Sequence, residues 1–188
     1  RDSKVAQFSR LCGGGFIGNS GKRAGGGALA GMTLPMVHGK PEDVTKIALV
    51  GCGGRGTGAA SNALSVSLAN GPTKLVAMAD VFQHKLDGSY NGLKKKHKDQ
   101  VDVPPDRKYI GFSAYKKAMD TLDKGDVAIF TTPCAFRWVH FEYAITKGLN
   151  VFTEKPVPAD GFSSRTMLAL NPPHTNKTPT VGVRLHCP

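Results

Sequence analysis

The stretch KIALVGCGGRG, residues 46–56, decides the fold of this chain. It starts with a short apolar run that is typical of a buried strand, and the run ends at a glycine. The six residues from Gly51 to Gly56 then fit the spacing G-x-G-x-x-G. A helix candidate follows at about 55–69, so the sequence predicts a strand, a tight glycine turn and a helix in direct succession.

The remainder of the chain continues this alternation of strands and helices. Further strands are predicted at 74–80, about 108–111, 126–130, 150–153 and 180–186. Further helices are predicted at about 83–96, 113–123 and 135–147, and a short one near Asp160, whose side chain is well placed as an N-cap. This order predicts an α/β protein with a doubly wound parallel sheet, the Rossmann fold.

The glycine turn predicts a dinucleotide site. Gly51 allows the tight turn, Gly53 lets a pyrophosphate approach the backbone, and Gly56 lets the helix pack against the strand. Gly54 and Arg55 open the helix, whose exposed N–H groups can hold phosphates. Arg55 touches a phosphate in one interpretation and is simply solvated in the other. The alternative for the whole motif is a glycine-rich turn with a structural role only.

Asp80 ends the second strand, 24 residues after Gly56. A carboxylate there accepts hydrogen bonds from the adenosine ribose hydroxyls and repels a 2′-phosphate. Val81, Phe82 and Gln83 follow it, with no basic residue among them. The sequence therefore favours NAD over NADP, and a solvent-exposed Asp at a strand end is the alternative.

Residues 1–45 differ in composition from the rest. They hold many of the chain's 23 glycines and show no sustained periodicity, so we expect a flexible leader. The segment KRAGGGALAGMTLPMVH, residues 22–38, has the outline of an export signal, although Lys22-Arg23 only approximates a twin-arginine pair. A working signal predicts a periplasmic or exported protein, and a disordered leader predicts a cytoplasmic one.

Charge and cysteine content exclude less than they first suggest. The chain carries 25 Lys and Arg against 14 acids, a net charge of +11. Its densest basic cluster, residues 94–98, falls at a predicted helix C-terminus, where cations complement the dipole, and no nucleic-acid-binding motif accompanies it. We therefore predict no nucleic-acid partner. The four cysteines show no metal-ligand spacing, and no apolar run is long enough for a membrane-spanning helix.

The segment FTTPCAFRWVHFEYAITKGLNVFTEKP, residues 130–156, carries the most specific pattern. Together with VGCGGRGTGAA (50–60) and LVAMADVF (75–82), it resembles the glucose–fructose oxidoreductase / inositol dehydrogenase / MocA family. The resemblance covers about residues 46–160. It implies an N-terminal Rossmann domain that binds NAD(H) or NADP(H), and a C-terminal α/β domain that holds a sugar-like substrate.

The resemblance also implies roles for particular residues. Glu154, Lys155 and Pro156 match the family's Glu-Lys-Pro motif, whose lysine reaches the nicotinamide ribose and the substrate hydroxyl. Lys155 is thus the candidate catalytic residue, because a cation beside an alcohol oxygen stabilises a developing alkoxide. The matches extend to the cofactor-lining segment, Thr131, Thr132 and Pro133, and to the histidine opening the next helix, His140. A surface lysine paired with Glu154, and a half-buried histidine, are the structural alternatives.

The resemblance stops before the substrate domain. The chain ends soon after the strand at 180–186, and NPPHTNKTPT (171–180) would break the long helix that the family has there. We therefore expect 46–188 to be a cofactor-binding domain without its substrate domain. Two functions stay open: the cofactor domain of an oxidoreductase acting on a sugar or polyol, and a non-catalytic dinucleotide-binding remnant or subunit. The oligomeric state stays open as well.

Overall fold

The computed structural model describes residues 44–65, 72–170 and 181–184, the last of these as backbone only. The expected leader therefore lies outside the described residues except for Val44 and Thr45. The proline-rich segment 171–180 also lies outside them.

The described residues form an alternating series of strands and helices, as the sequence predicts. The strands are β1 (Thr45–Val50), β2 (Thr73–Asp80), β3 (Lys108–Ile110), β4 (Val127–Phe130), β5 (Asn150–Glu154) and β6 (Val181–Arg184). The helices are α1 (Gly54–Ser65), α2 (Gln83–Lys96), α3 (Ala114–Asp120), α4 (Cys134–Thr146) and α5 (Gly161–Ala169), and one 3-10 turn covers Pro105–Arg107.

The six strands form one sheet in the order β3-β2-β1-β4-β5-β6. Every pairing in this sheet is parallel. This is the strand order of the doubly wound dinucleotide-binding fold, and the direction of winding reverses between β1 and β4. The predicted fold class is confirmed. Ligands in such sheets bind at the carboxyl ends of the strands beside this switch point.

Helices cover both faces of the sheet, which explains why the central strands read as continuous apolar runs. Ile47 and Leu49 of β1 point to the face packed by α1 and α2. Ala48 and Val50 point to the opposite face, packed by α3 and α4. All four β1 residues are buried, and this alternation fixes the position of the glycine turn that follows.

Helix ends follow local hydrogen bonding. The predicted N-cap is confirmed: the Asp160 carboxylate accepts from the backbone N–H of Ser163 at 2.7 Å, and the Ser163 hydroxyl accepts from the Asp160 N–H at 3.2 Å. The bond from the Ser163 N–H, and next a bond that the Ser163 hydroxyl donates to the same carboxylate at 3.0 Å, lower the pKa of Asp160. Helix α3 is shorter than the predicted 113–123: it ends at Asp120, after which the Leu122 N–H donates to the carbonyl of Met119, three residues back, at 3.1 Å.

Candidate functional site: a cleft at the switch point

The glycine turn has the close contacts that its sequence predicts. Gly51 adopts a φ of +98°, and its N–H donates to the Ala79 carbonyl of β2 at 2.8 Å. A Cβ on Gly56 would lie 2.0 Å from the Gly51 carbonyl oxygen, so only glycine lets α1 approach β1 this closely. A Cβ on Gly53 would meet nothing within 4 Å. The space over Gly53 is therefore open for a ligand.

Asp80 stabilises this turn from the neighbouring strand. One carboxylate oxygen accepts from the Cys52 N–H at 2.6 Å, and the other accepts from the Phe82 N–H at 2.9 Å. A carboxylate oxygen can accept two hydrogen bonds, and each Asp80 oxygen accepts one from these backbone groups. Asp80 therefore retains the capacity to accept from a ligand hydroxyl. The carboxylate predicted to bind a ribose is thus also a structural part of the glycine turn.

Cys52, at the centre of the turn, is a buried structural cysteine. Its side chain is 3% exposed, and its Sγ donates to the Ala79 carbonyl at 3.5 Å. Burial, together with the nearby Asp80 carboxylate, raises the pKa of the Cys52 thiol far above its usual range. A thiol of this kind is not a nucleophile at neutral pH.

The loop after β4 forms the other side of the switch point. The Thr131 N–H donates to the Val50 carbonyl at 3.0 Å, and Thr131 Oγ1 donates to the Gly51 carbonyl at 2.6 Å. These bonds tie the glycine turn to the Thr131-Thr132-Pro133 segment. The carboxyl ends of the two strands therefore form one connected floor.

A cavity of about 580 Å³ lies on this floor. Seven of the predicted site residues line it: Gly51, Gly53, Asp80, Thr131, Thr132, Pro133 and His140. Its volume is in the range of small-molecule and cofactor sites, about 300–1,000 Å³. The structure thus brings these seven residues together around one cavity, and their roles in binding stay predictions.

His140 is a buried, neutral histidine. It is the seventh residue of α4, so it stands in the second turn rather than at the opening of the helix. Its Nδ1 lies 3.2 Å from Thr132 Oγ1, and its ring centroid is 4.3 Å from that of Tyr115. Burial, and next the charge of Arg137, lower the pKa of His140 to about 4. At neutral pH it therefore offers a hydrogen bond but no charge.

Arg137 was not among the predicted site residues. It stands in the first turn of α4, lines the cleft and is only 6% exposed. Its Nε donates to the Thr132 carbonyl at 2.7 Å, and its Nη1 donates to the carbonyls of Glu154 and Pro156, the latter at 2.5 Å. Burial lowers its pKa from the usual value. Its place in the first turn of a helix that follows a cleft loop was the available sequence signal.

The remaining predicted residues lie around the cleft rather than in its lining. Gly54 and Arg55 are exposed at the start of α1, and Gly56 is buried beneath it. Glu154 is buried at the end of β5, whereas Lys155 is exposed on the turn that follows. The Lys155–Pro156 peptide bond is cis. Lys155 therefore lies beyond the carboxyl end of β5, as predicted, but outside the cavity lining.

Aromatic and basic side chains that the sequence analysis did not assign also line the cleft. Phe112 and Phe136 are largely exposed at its mouth, with their ring centroids 6.4 Å apart. At the Asp80 end, Lys85 places its Nζ 4.9 Å from the centroid of the Phe82 ring. Phe82 and Phe112 lie in loops, which carry no periodic pattern, whereas Lys85 and Phe136 lie in the first turns of α2 and α4. Only their position after strand ends could have identified these four residues.

The basic cluster at the end of α2 is used in local structure. Lys94 Nζ donates to the carbonyls of Lys98 and Val101 at 3.0 and 2.8 Å. Lys96 Nζ donates to Ser61 Oγ of α1 at 2.9 Å. These contacts support the interpretation of the cluster as the C-terminal end of a helix.

Within the described ranges, no group of three His, Cys, Asp or Glu residues is arranged for a metal ion, and no helix could span a membrane.

Comparison with solved structures gives the same fold. The myo-inositol 2-dehydrogenase of Lactobacillus plantarum has a TM-score of 0.54 and 24% identity, over 74% of this chain and 36% of its own length. The scyllo-inositol dehydrogenase of Lactobacillus casei has a TM-score of 0.54 and 20% identity, over 76% and 38%. The WlbA dehydrogenase of Bordetella pertussis, solved with NADH and UDP-GlcNAcA, has a TM-score of 0.51 and 18% identity, over 70% and 33%.

These structures confirm the resemblance found in the sequence at the level of the fold. The chain spans about a third of the length of the solved dehydrogenases that it matches. No protein-family model matches the chain, and no curated protein sequence is significantly similar to it.

Proposed function

We propose that this chain is the nicotinamide-dinucleotide-binding domain of an oxidoreductase of the glucose–fructose oxidoreductase / inositol dehydrogenase / MocA type. One observation carries the proposal: the open space over Gly53, between the glycine turn and the Asp80 carboxylate, in a cleft at the switch point of the sheet. That space fits a pyrophosphate at the start of α1 with a ribose beside Asp80. The independent likeness to solved dehydrogenases supports the same class.

A nicotinamide cofactor supplies the hydride acceptor in this class, and the chain's own residues bind and orient it. The Gly53 backbone and the first turn of α1 hold the phosphates, and Asp80 accepts from the ribose. Thr131, Thr132 and Pro133 line the nicotinamide end. Lys155 would supply the cation that stabilises the substrate oxygen as its hydroxyl proton passes to solvent. The proposed substrate is a sugar, a polyol or a related hydroxyl compound.

We propose NAD as the preferred cofactor, because the Asp80 carboxylate repels a 2′-phosphate. One observation favours NADP instead: Lys85 lines the same end of the cleft. Titration of the chain with NADH and NADPH in parallel separates the two. A Lys85→Met variant should leave NADH affinity unchanged, and a loss confined to NADPH would assign Lys85 to the 2′-phosphate.

The decisive test of the proposed function is NADH binding measured by fluorescence titration. Asp80→Ala should weaken it by about 10- to 100-fold, the equivalent of a charge-assisted hydrogen bond. Gly53→Val should abolish it, because the new side chain fills the phosphate space. Gly58→Val is the matched control, since Gly58 is also in open surroundings but lies on the exposed side of α1. Unchanged affinity in both site variants would reject the proposal.

A turnover assay addresses the remaining alternative, a non-catalytic dinucleotide-binding remnant or subunit. The exposed position of Lys155 outside the cleft lining favours this second candidate for the chain on its own. A panel of polyols and sugars with NAD, followed at the NADH absorbance, decides between them. Lysine-dependent turnover, lost in Lys155→Met, would exclude the remnant.

A further inference from the structure

Arg137 is a buried cation whose hydrogen bonds all reach backbone carbonyls on the edge of the cleft. Its side chain extends from the first turn of α4 toward β5 and is 6% exposed. The Nε–H group holds the Thr132 carbonyl at 2.7 Å. The two N–H groups of Nη1 hold the carbonyls of Glu154 and Pro156. The guanidinium therefore bridges the loop after β4 and the turn after β5.

The two carbonyls bound by Nη1 belong to the residues on either side of Lys155. A single nitrogen thus fixes both flanks of an exposed lysine, while the same guanidinium fixes a residue of the cleft lining. The guanidinium is planar and rigid, so its donors hold these three carbonyls in one fixed arrangement. Removing a cation from water is costly, and an apolar side chain would fill the same space without that cost.

We propose that Arg137 is a positioning residue, which sets the place of Lys155 relative to the cofactor cleft. This rests on the proposed function. Lys155 stands on a turn outside the cleft lining, so its distance from a bound nicotinamide ribose depends on where that turn is held. A displacement of about 1 Å in a catalytic group costs on the order of 100-fold in rate. Arg137 links this turn to the Thr132 carbonyl on the cleft floor through its hydrogen bonds.

The test uses the full chain and measures how strongly NADH protects Lys155 from acetylation. Limited acetic anhydride modifies exposed lysines, and mass spectrometry follows Lys155 with Lys95, an exposed residue of α2, as internal reference. NADH is added at about ten times the dissociation constant measured for each variant, so that only roughly a tenth of the chains have no NADH bound. The variants are Arg137→Met and Arg137→Lys, and Arg165→Met is the matched control on exposed α5.

We expect NADH to slow the acetylation of Lys155 in the parent chain, where Arg137 holds the turn in place. Protection should therefore persist in Arg165→Met, disappear in Arg137→Met and be partial in Arg137→Lys, whose single ammonium cannot span all three carbonyls. Lys95 should react equally throughout. A purely structural role would lower the melting temperature of the Arg137 variants and leave the protection at saturating NADH unchanged.

Each of the other outcomes contradicts either the proposed function or the positioning role of Arg137. Absence of NADH binding to the parent chain would refute the proposed function, and the positioning role with it. NADH binding without protection of Lys155 in the parent chain would refute the positioning role and leave the dinucleotide site standing. Equal protection in the parent and both Arg137 variants would do the same. If Arg137→Met fails to fold, Arg137→Lys becomes the deciding variant.

Discussion

Gly56 gives the sharpest test of how the glycine turn is built. A Cβ at this position would lie 2.0 Å from the Gly51 carbonyl oxygen and 2.6 Å from Thr131 Oγ1, whereas real Cβ contacts essentially never fall below 3.0 Å. In Gly56→Ala, the backbone of the turn must therefore move by about 1 Å. Overpacking of this kind costs about 1–3 kcal/mol or more, and the better helix propensity of alanine returns up to about 1 kcal/mol.

The expected net change is a loss of about 2 kcal/mol in the free energy of unfolding, or a melting temperature lower by about 4–8 °C. Gly58→Ala is the matched control, because it lies in the same helix and its new Cβ would meet nothing within 4 Å. That variant should be as stable as the parent or gain up to about 1 kcal/mol.

Thermal and urea unfolding followed by circular dichroism measure both changes. Equal stability of Gly56→Ala and Gly58→Ala would refute the close approach of α1 to β1. A loss in Gly56→Ala with the same denaturant slope as the parent would locate the effect in the folded state.

Three further changes have defined outcomes. The pKa of His140 falls to about 4 on folding, so the unfolded chain binds its proton first as the pH drops. The contribution of His140 to the free energy of unfolding is therefore fully present above about pH 6.5, and about 3 kcal/mol of it is lost by pH 4. Urea titrations at several pH values should find a smaller loss in His140→Gln. Thr131→Val removes the hydroxyl that donates to Gly51 and should cost about 1 kcal/mol in unfolding free energy, a cost that unchanged urea midpoints would contradict. Iodoacetamide should label the half-exposed Cys134 and spare the buried Cys52 until urea unfolds the chain; early labelling of Cys52 would show that the turn opens in the native state.

The fold and part of the cleft lining were accessible from the sequence because local patterns encode them. A strand that ends in glycines, followed by an acid at the end of the next strand, specifies the turn between β1 and α1 and the position of Asp80. The N-cap at Asp160 was accessible for the same reason, since its partner Ser163 is three residues away.

The role of Arg137 was not accessible in this way. Its acceptors at Glu154 and Pro156 lie 17 and 19 residues further along the chain, on another strand end, and no local pattern specifies that contact. Lining residues such as Phe112 come from loops, whose conformations depend on tertiary packing.

The double use of Asp80 limits how this site can change over time. Its carboxylate accepts from the Cys52 N–H of the glycine turn and also lines the cleft, where the proposed function places the adenosine ribose. A substitution that removed the charge to admit a 2′-phosphate would also remove the acceptor of the Cys52 N–H from the glycine turn. If the proposed function holds, a substitution at Asp80 and a compensating substitution in the glycine turn should therefore have non-additive effects on dinucleotide binding.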